Sequence, residues 1–249
     1  MKALSATTIP HPSRHETLKA SLQGFHLTIN GFKELPEVIV KAGVLMGLRG
    51  YGDNHERPSF AEDVRRIKVT GPCGLQLSIV DSSGLKSNVS EEQTEDNVET
   101  VHRMVDSYVE KPRTIILAVV QAGNDIANES IIPKSKLFDK AGECTVGIIT
   151  RPDLVNAGAE GRIACAGKEP GHHQATAGPL LLKNPTLKER EDLITPKQRS
   201  TNELRYFQFP LWKEQKLDAT RGALINRHIE KELREQIKST IRMSEQEIR

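Results

Sequence analysis

The sequence has few cysteines. Its 249 residues contain three, Cys73, Cys144 and Cys165, and no Cys-x-x-Cys pair. An odd, widely spaced set of cysteines neither forms a disulfide framework nor supplies the ligands of a structural zinc site. The composition therefore favours a protein of a reducing compartment, and the cytoplasm is the expected location.

Long hydrophobic runs are also lacking. The longest, Ile115 to Val120, has six residues, whereas a helix that crosses a membrane needs about 20. The first residues contain no continuous apolar stretch of the kind found in a secretory signal. We therefore expect a protein that meets a membrane, if at all, from outside as a peripheral component.

Charge of one sign is not in excess. Lys and Arg together number 35 and Asp and Glu number 33, which leaves a net charge of +2. Such a balance gives no strong field for capturing a polyanion. The sequence therefore predicts no nucleic-acid partner.

The first half of the chain mixes helical and extended patterns. Leu18, Leu22, Phe25 and Ile29 are spaced by three and four residues, which predicts an amphipathic helix. Helices are also predicted over residues 34–46 and, after a capping-box pattern, 91–110. Two β-rich runs, residues 66–70 and 75–80, flank Gly-Pro-Cys-Gly and predict an antiparallel hairpin.

The second half alternates short apolar runs with helical segments. The runs cover residues 114–120, 145–150 and 180–182, and strands of this kind are typical of a parallel sheet covered on both faces. Residues 217–249 repeat an isoleucine or leucine every four positions in a charged background, which predicts an amphipathic helix that needs a partner. The predicted fold class is α/β, a three-layer, mostly parallel sheet with helices on both faces and a C-terminal helix.

Polar residues follow three of these predicted strands. They are Asp81 with Gly84, then Thr150-Arg151-Pro152-Asp153, then Lys183-Asn184. Ligands of α/β sheets bind where strands end. A GTP site would contain three such elements in this order. They are an Asp near the metal, a Gly whose backbone approaches a phosphate, and a carboxylate that accepts hydrogen bonds from the guanine edge. Taken alone, Asp-x-x-Gly is more typical of an ordinary turn after a strand, and the two further motifs at successive strand ends favour the GTP site.

Three longer segments extend the comparison. SFAEDVRRIKVTGP, the block from Ser90 to Glu129 and TVGIITRPDLVNAG are similar to the GTPase domain of the dynamin superfamily, most closely that of the dynamin-like proteins of filamentous fungi. The resemblance runs with interruptions from Ile9 to Glu235. It implies a GTPase-type fold, GTP and Mg²⁺ as ligands, assembly with itself or with full-length relatives, and a role in membrane remodelling during vesicle or organelle fission.

The resemblance also implies roles for the residues at the strand ends. Asp81 would lie on the Mg²⁺ side of the site, without binding the ion directly, and Gly84 would approach the γ-phosphate. The guanine-reading motif would consist of Thr150, Arg151 and Asp153. Lys183 and Asn184 would lie near the base and ribose.

Three positions depart from the family pattern. The family has Pro at Ser83, Lys at Arg151 and usually Arg at Pro185. An Arg side chain can still stack on a purine, so the change at Arg151 weakens the expected site least.

The phosphate-binding loop of the family is missing from the sequence. No Gly-x-x-x-x-Gly-Lys-Ser/Thr string occurs, although its amides, Lys and hydroxyl would hold the phosphates and Mg²⁺. The nearest string, Gly161 to Gly167-Lys168, has five residues between its glycines instead of four and favours a small-residue helix. By alignment the loop, the first switch and the first strand would lie upstream of Met1, so we expect a truncated domain with an incomplete sheet, no catalytic residue and no useful GTP hydrolysis.

Two functional hypotheses follow. The first is a dynamin-like GTP-binding domain over residues 1–205, impaired in hydrolysis, followed by a linker and bundle-type helix over residues 206–249. The second is a non-catalytic pseudo-GTPase that binds full-length dynamin-like proteins. For the charged segment 230–234, a solvated helix face is the main interpretation and membrane-surface binding the alternative.

Overall fold

The chain divides into two compact units. The computed structural model describes residues 3–51, 60–70, 78–82, 85, 95–156, 158–165, 180–210 and 212. The units are Met1–Asp106 and Ser107–Arg249, and the division falls within a helix.

The first unit contains an antiparallel three-stranded sheet in the order β2-β1-β3. Ser5 of the central strand lies opposite Thr28 on one side and Lys68 on the other. The elements, in chain order, are β1 (Ala3–Ile9), α1 (Glu16–Gln23), β2 (His26–Ile29), α2 (Leu35–Met46), β3 (Val64–Thr70) and α3 (Glu95–Val109).

Helix α2 covers the apolar face of this sheet. Pro36 is in its first turn, where the missing N–H costs nothing, and Gly47 ends it with a φ of 72° in the left-handed region. Val38 of α2 packs in one cluster with Leu4 and Ile29 of the strands. The predicted helix over residues 34–46 is confirmed.

One expectation for the N-terminal region is wrong, and one strand was not expected. The residues Leu18 to Ile29 do not form one helix, because α1 ends at Gln23 and β2 begins at His26. Gly24 ends the helix, and the alternation of Leu27 and Ile29 belongs to a strand. The sequence analysis also missed β1, whose Ala, Ser and Thr residues give a weak strand pattern.

Of the predicted hairpin, only the strand over residues 66–70 is confirmed, and the prediction of a second strand is wrong for residues 78–80. β3 includes residues 66–70, and its described partner is β1. Residues 71–77 lie outside the described residues, and residues 78–80 have no regular secondary structure. The predicted helix over residues 91–110 corresponds to α3, which is described from Glu95 onward.

A buried ion pair ties three segments of the first unit together. The Asp63 side chain is fully buried, and its carboxylate accepts hydrogen bonds from the Arg14 guanidinium, with Nε 3.0 Å from Oδ2, and from the His11 N–H at 2.9 Å. Arg14 also donates to the Met46 carbonyl oxygen at the end of α2, at 3.1 Å. The connection after β1 is thereby fixed to α2 and to the start of β3.

The second unit contains a parallel sheet in the order β4-β5-β6. Ile116 pairs with Thr145, and Thr150 pairs with Leu182. The elements are β4 (Ile116–Gln121), α4 (Ile131–Phe138), β5 (Thr145–Thr150), α5 (Glu160–Cys165), β6 (Leu180–Leu182), α6 (Leu187–Glu191) and α7 (Pro196–Phe207). The three predicted strands and their parallel arrangement are confirmed.

The two faces of the parallel sheet are covered unequally. One face packs in a cluster around Ile149, which has no exposed surface, together with Phe207 and Trp212. On the other face β5 and β6 are buried, but Leu117 and Val119 of β4 are 42% and 52% exposed. The expectation that every strand is covered on both faces is therefore wrong for β4, because the covering over its neighbours does not extend to it.

Several expectations fall outside the described part. The helix predicted over residues 217–249 lies outside the described residues. Of the segment Gly161–Lys168, residues 161–165 belong to the helix Glu160–Cys165, as expected, and residues 166–168 lie outside the described residues. No helix among the described residues is long and apolar enough to cross a membrane.

We predict that Arg14→Met destabilises the first unit by about 3 kcal/mol, because it leaves the buried Asp63 carboxylate without its charged partner. The measurement is the urea dependence of circular dichroism. The matched control is Lys41→Met, which breaks a pair with Glu37 that is more than half exposed and costs at most about 0.5 kcal/mol. Equal effects of the two substitutions would contradict the assignment of Arg14 as a buried anchor.

Candidate functional site

The exit of β5 is held by the strand beside it. The Thr150 hydroxyl donates to the Val120 carbonyl oxygen at 3.1 Å, and the Thr150 carbonyl oxygen accepts the Ala122 N–H at 2.8 Å. Thr150 is 8% exposed. Its hydroxyl is therefore engaged in joining β5 to β4, and its contribution to a site is to fix where the strand ends.

Arg151 turns the chain sharply out of the sheet. Its φ and ψ are 53° and 47°, a left-handed conformation that is strained for a residue with a side chain. Its N–H donates to the Leu182 carbonyl oxygen at 3.2 Å, and its own carbonyl oxygen accepts the Leu154 N–H at 3.2 Å. The exposed Arg151 side chain thus leaves the sheet where a buried Pro152 starts a 3-10 turn.

Asp153 lies on this turn and is half-buried. Its Oδ1 atom is shielded from solvent and accepts no hydrogen bond from the part of the chain that the structure describes. An unpaired buried acceptor costs about 1–3 kcal/mol, and more when it is charged. The Asp153 carboxylate can therefore accept a hydrogen bond from a donor that the described residues do not supply.

An aromatic cluster lies under this turn. The rings of Tyr206 and Trp212 have centroids 5.7 Å apart, and Phe207 packs edge-on against both. Burial raises the pKa of the Tyr206 phenol to about 12, the negative charges of Asp153 and Glu160 add to the effect, and a hydrogen bond with Trp212 opposes it. The Tyr206 hydroxyl therefore stays protonated near Asp153 at neutral pH.

The exit of β6 lies beside that of β5. Lys183 directly follows β6, and its Nζ is 3.8 Å from Glu189 Oε2 and 5.8 Å from the centroid of the Tyr206 ring. The hydrogen bond from the Thr186 N–H is the largest cause of the lowered pKa of Glu189, and Lys183 adds to it. Asn184 follows at the same edge and is half-buried.

Glu203 supports the β6 exit from α7. It is 4% exposed, and its Oε1 accepts the Lys183 N–H at 3.0 Å. Burial raises the pKa of Glu203, whereas the Lys183 hydrogen bond and the charge of Arg199 oppose the rise. A capping box formed by Thr195 and Gln198 starts the helix that carries it.

Comparison with known proteins identifies the family. A family model described as the dynamin family matches residues 16–152, more than half of the chain. The chain belongs to the dynamin family. It is 30% identical over 145 residues to the interferon-induced GTP-binding protein Mx1 of Phoca vitulina, a match that covers 58% of this chain and 21% of that protein.

Plant relatives match a shorter part of this dynamin-family chain. Dynamin-related protein 5A of Glycine max is 35% identical over 94 residues, and phragmoplastin DRP1A of Arabidopsis thaliana is 33% identical over 94 residues. Each match covers 38% of this chain and 15% of the relative. The chain thus matches about a fifth or less of the length of these relatives.

The structure brings together five of the seven residues that the dynamin resemblance singled out. These five lie at the adjacent exits of β5 and β6: Thr150, Arg151, Asp153, Lys183 and Asn184. Of the other two, Asp81 is exposed, in the first unit, in a segment without regular structure, and Gly84 lies outside the described residues. The Mg²⁺ and phosphate roles of Asp81 and Gly84 stay predictions.

The sequence analysis missed Glu203 and Tyr206. Both lie on α7, whose polar composition gave no reason to look for a site. A signal was nevertheless present, because Glu203 precedes Phe207 by four residues and so occupies the helix face that an aromatic residue buries. A carboxylate at such a position is unusual unless it has a buried partner.

We predict that Glu203→Gln raises the free energy of unfolding of the second unit at neutral pH and that the gain grows as pH rises above 4.5. A raised pKa means that folding favours the neutral acid, so its stabilising contribution is complete below the ordinary pKa of 4.5 and is lost as pH rises through the higher folded value. Glutamine does not titrate, so the variant does not lose stability in this way as pH rises.

The measurement is urea unfolding at several pH values, followed by the fluorescence of Trp212, the single tryptophan of the chain. The matched control is Glu191→Gln, at an exposed position on α6, which should change the free energy of unfolding at neutral pH by no more than about 0.5 kcal/mol. The prediction would be contradicted if the difference in the free energy of unfolding between Glu203→Gln and wild type became smaller as pH rises.

Proposed function

We propose that this chain carries the guanine-recognition part of a dynamin-type GTP-binding domain. The observation that carries the proposal is the buried Oδ1 of Asp153 at the exit of β5, which has no hydrogen-bond partner among the residues that the structure describes. Guanine presents two adjacent donors, an N1–H and an amino group, to a carboxylate that can accept both. Adenine has an acceptor at N1, so it would face the same carboxylate with a repulsive contact.

Residues near Asp153 could contact the parts of a purine nucleotide that the Asp153 carboxylate does not bind. The planar Arg151 guanidinium is exposed beside Asp153 and can stack on the base. The Lys183 side chain is only 12% exposed and lies between Glu189 and the Tyr206 ring. We propose that Lys183 and Asn184 form the opposite wall of the site, near the base and ribose.

The phosphates have fewer candidate partners. No phosphate-loop string occurs in the 249 residues, and no group of three or more His, Cys, Asp or Glu side chains forms a metal site among the described residues. Mg²⁺ normally binds one or two carboxylates together with substrate phosphates, a role that Asp81 alone could meet only in part. We therefore propose that binding by this chain rests on the base, that GTP and GDP bind about equally, and that hydrolysis is impaired.

The wider role is inferred from family membership. We propose that a protein carrying this domain acts in membrane remodelling, in vesicle or organelle fission, as a cytoplasmic protein at the membrane periphery. We also propose that residues 1–205 are a partial GTPase domain and 206–249 a linker with a bundle-type helix. Limited proteolysis tests that division, and because Phe207 and Trp212 pack into the core of the second unit, it predicts a protected fragment that ends after Trp212.

A second candidate function is a non-catalytic interaction module. The exposure of Leu117 and Val119 favours it, because apolar side chains on a strand at the edge of the described sheet are a typical surface for pairing with another chain. In this hypothesis the chain binds itself or a full-length dynamin-family protein as a pseudo-GTPase.

We predict that Asp153→Asn lowers the affinity for GDP by about tenfold to a hundredfold, because a hydrogen bond to a charged group is lost. The same variant should gain affinity for xanthosine diphosphate, whose carbonyl oxygen at C2 can accept from the new amide. The measurement is equilibrium binding of the two nucleotides. Asp192→Asn, at an exposed position after α6, is the control, and equal losses in both variants would contradict the role of Asp153.

We predict that Leu117→Glu combined with Val119→Glu abolishes co-elution with a full-length dynamin-family protein in size-exclusion chromatography. Charges on this strand would remove the apolar contact and repel an approaching edge. The control is Leu137→Glu, at a leucine of α4 that is 65% exposed. Undiminished co-elution of the double variant would reject the interaction surface on β4.

A further inference from the structure

The peptide group between Leu182 and Lys183 is held on both sides. Its N–H donates to Glu203 Oε1 at 3.0 Å, and its carbonyl oxygen accepts the Arg151 N–H at 3.2 Å. A peptide group is planar and rigid. The Glu203 carboxylate is therefore connected, through one rigid unit, to the first residue of the turn that carries Asp153.

The direction of these bonds makes them mutually reinforcing. A carboxylate that accepts the N–H polarises the peptide group and makes its carbonyl oxygen a better acceptor. The acceptor then binds the N–H of Arg151, whose left-handed conformation needs support from its surroundings. Loss of the Glu203 contact would thus loosen the exits of both β5 and β6.

Glu203 is placed for this role by the helix that bears it. Phe207, one turn further along α7, is 3% exposed and packs in the core with Ile149 and Leu181. The buried ring fixes the helix face, so Glu203 reaches the rim of the same core where β6 ends. The groups that face it are the Lys183 N–H and the positive charges of Arg199 and Lys183.

We propose that Glu203 is a positioning residue for base recognition, which sets the spacing between Asp153 and Lys183 by holding the peptide group that joins their strand exits. The proposal rests on the function proposed above. Its substrate class is the same guanine nucleotide. Glu203 contacts the main chain and acts on the base only through the two exits.

The test compares the full-length variants Glu203→Leu, Glu203→Gln and Glu191→Leu. The first removes the acceptor, the second keeps a neutral acceptor, and the third is a matched change at an exposed position. One readout is amide hydrogen exchange at Arg151 and Lys183, with Ile149 in the centre of β5 as the internal reference. The other is the ratio of the affinities for GDP and ADP.

The proposal predicts that Glu203→Leu speeds exchange at Lys183 and Arg151 by about tenfold or more relative to Ile149, and lowers the preference for GDP over ADP by about tenfold. Glu203→Gln should change both readouts by less than about threefold, since it retains an oxygen acceptor. Glu191→Leu should match the wild type.

Three results would overturn the proposal. Equal acceleration at Ile149 would mean that Glu203 only stabilises the unit. If the wild-type chain binds GDP selectively and Glu203→Leu keeps that selectivity, the positioning role is rejected and the proposed function stands. A wild-type chain that binds no guanine nucleotide would reject the proposed function together with this one, whatever the exchange rates.

Discussion

The parallel pairing of β5 with β6 is the constraint on which the candidate site depends. Thr150 and Leu182 end their strands opposite each other, and the Arg151 N–H adds one more hydrogen bond to the Leu182 carbonyl oxygen beyond the ladder. Residues separated by about thirty positions in the chain thereby leave the sheet at the same edge. Every contact proposed for a purine base follows from that adjacency.

The site concentrates features that cost stability. Arg151 is left-handed, Asp153 has a buried oxygen without a hydrogen-bond partner in the described part of the chain, and Glu203 is a buried carboxylate. Each of these costs on the order of 1–3 kcal/mol. The apolar cluster of Ile149, Phe207 and Trp212 beneath them supplies the burial that holds the arrangement in place. Such a concentration is typical of binding sites, where a ligand satisfies what the protein leaves unsatisfied.

Much of the second unit could be predicted from the sequence. Its strands are continuous apolar runs, so their position and parallel arrangement followed from the sequence, and the polar residues after them led to the candidate site. The first unit was harder, since β1 has only Leu4 and Ile9 among small and hydroxyl residues, and β2 begins three residues after α1 ends while the spacing of apolar residues continues unchanged. Glu203 and Tyr206 were not predicted, because the spacing of Glu203 from Phe207 is the one local sign of a buried carboxylate and the contacts of both residues arise from the packing of α7 onto the sheet.

The uneven cover of β4 was equally beyond the sequence. A strand such as residues 116–121 has apolar side chains on both faces whether or not both are buried. Only the structure shows that Leu117 and Val119 remain exposed while Val120 is buried. This distinction separates a strand in the middle of a covered sheet from one that is available to a partner.

The most direct test of the account is an NMR titration of the full chain with GDP and, separately, with ADP. The account predicts amide shift changes concentrated at residues 151–154 and 183–184 with GDP, together with a change at the Trp212 indole, which hydrogen-bonds with Tyr206 beneath the site. ADP should produce far smaller changes at the same concentration. Shifts that are absent, or equal for the two nucleotides, would contradict guanine recognition by this chain.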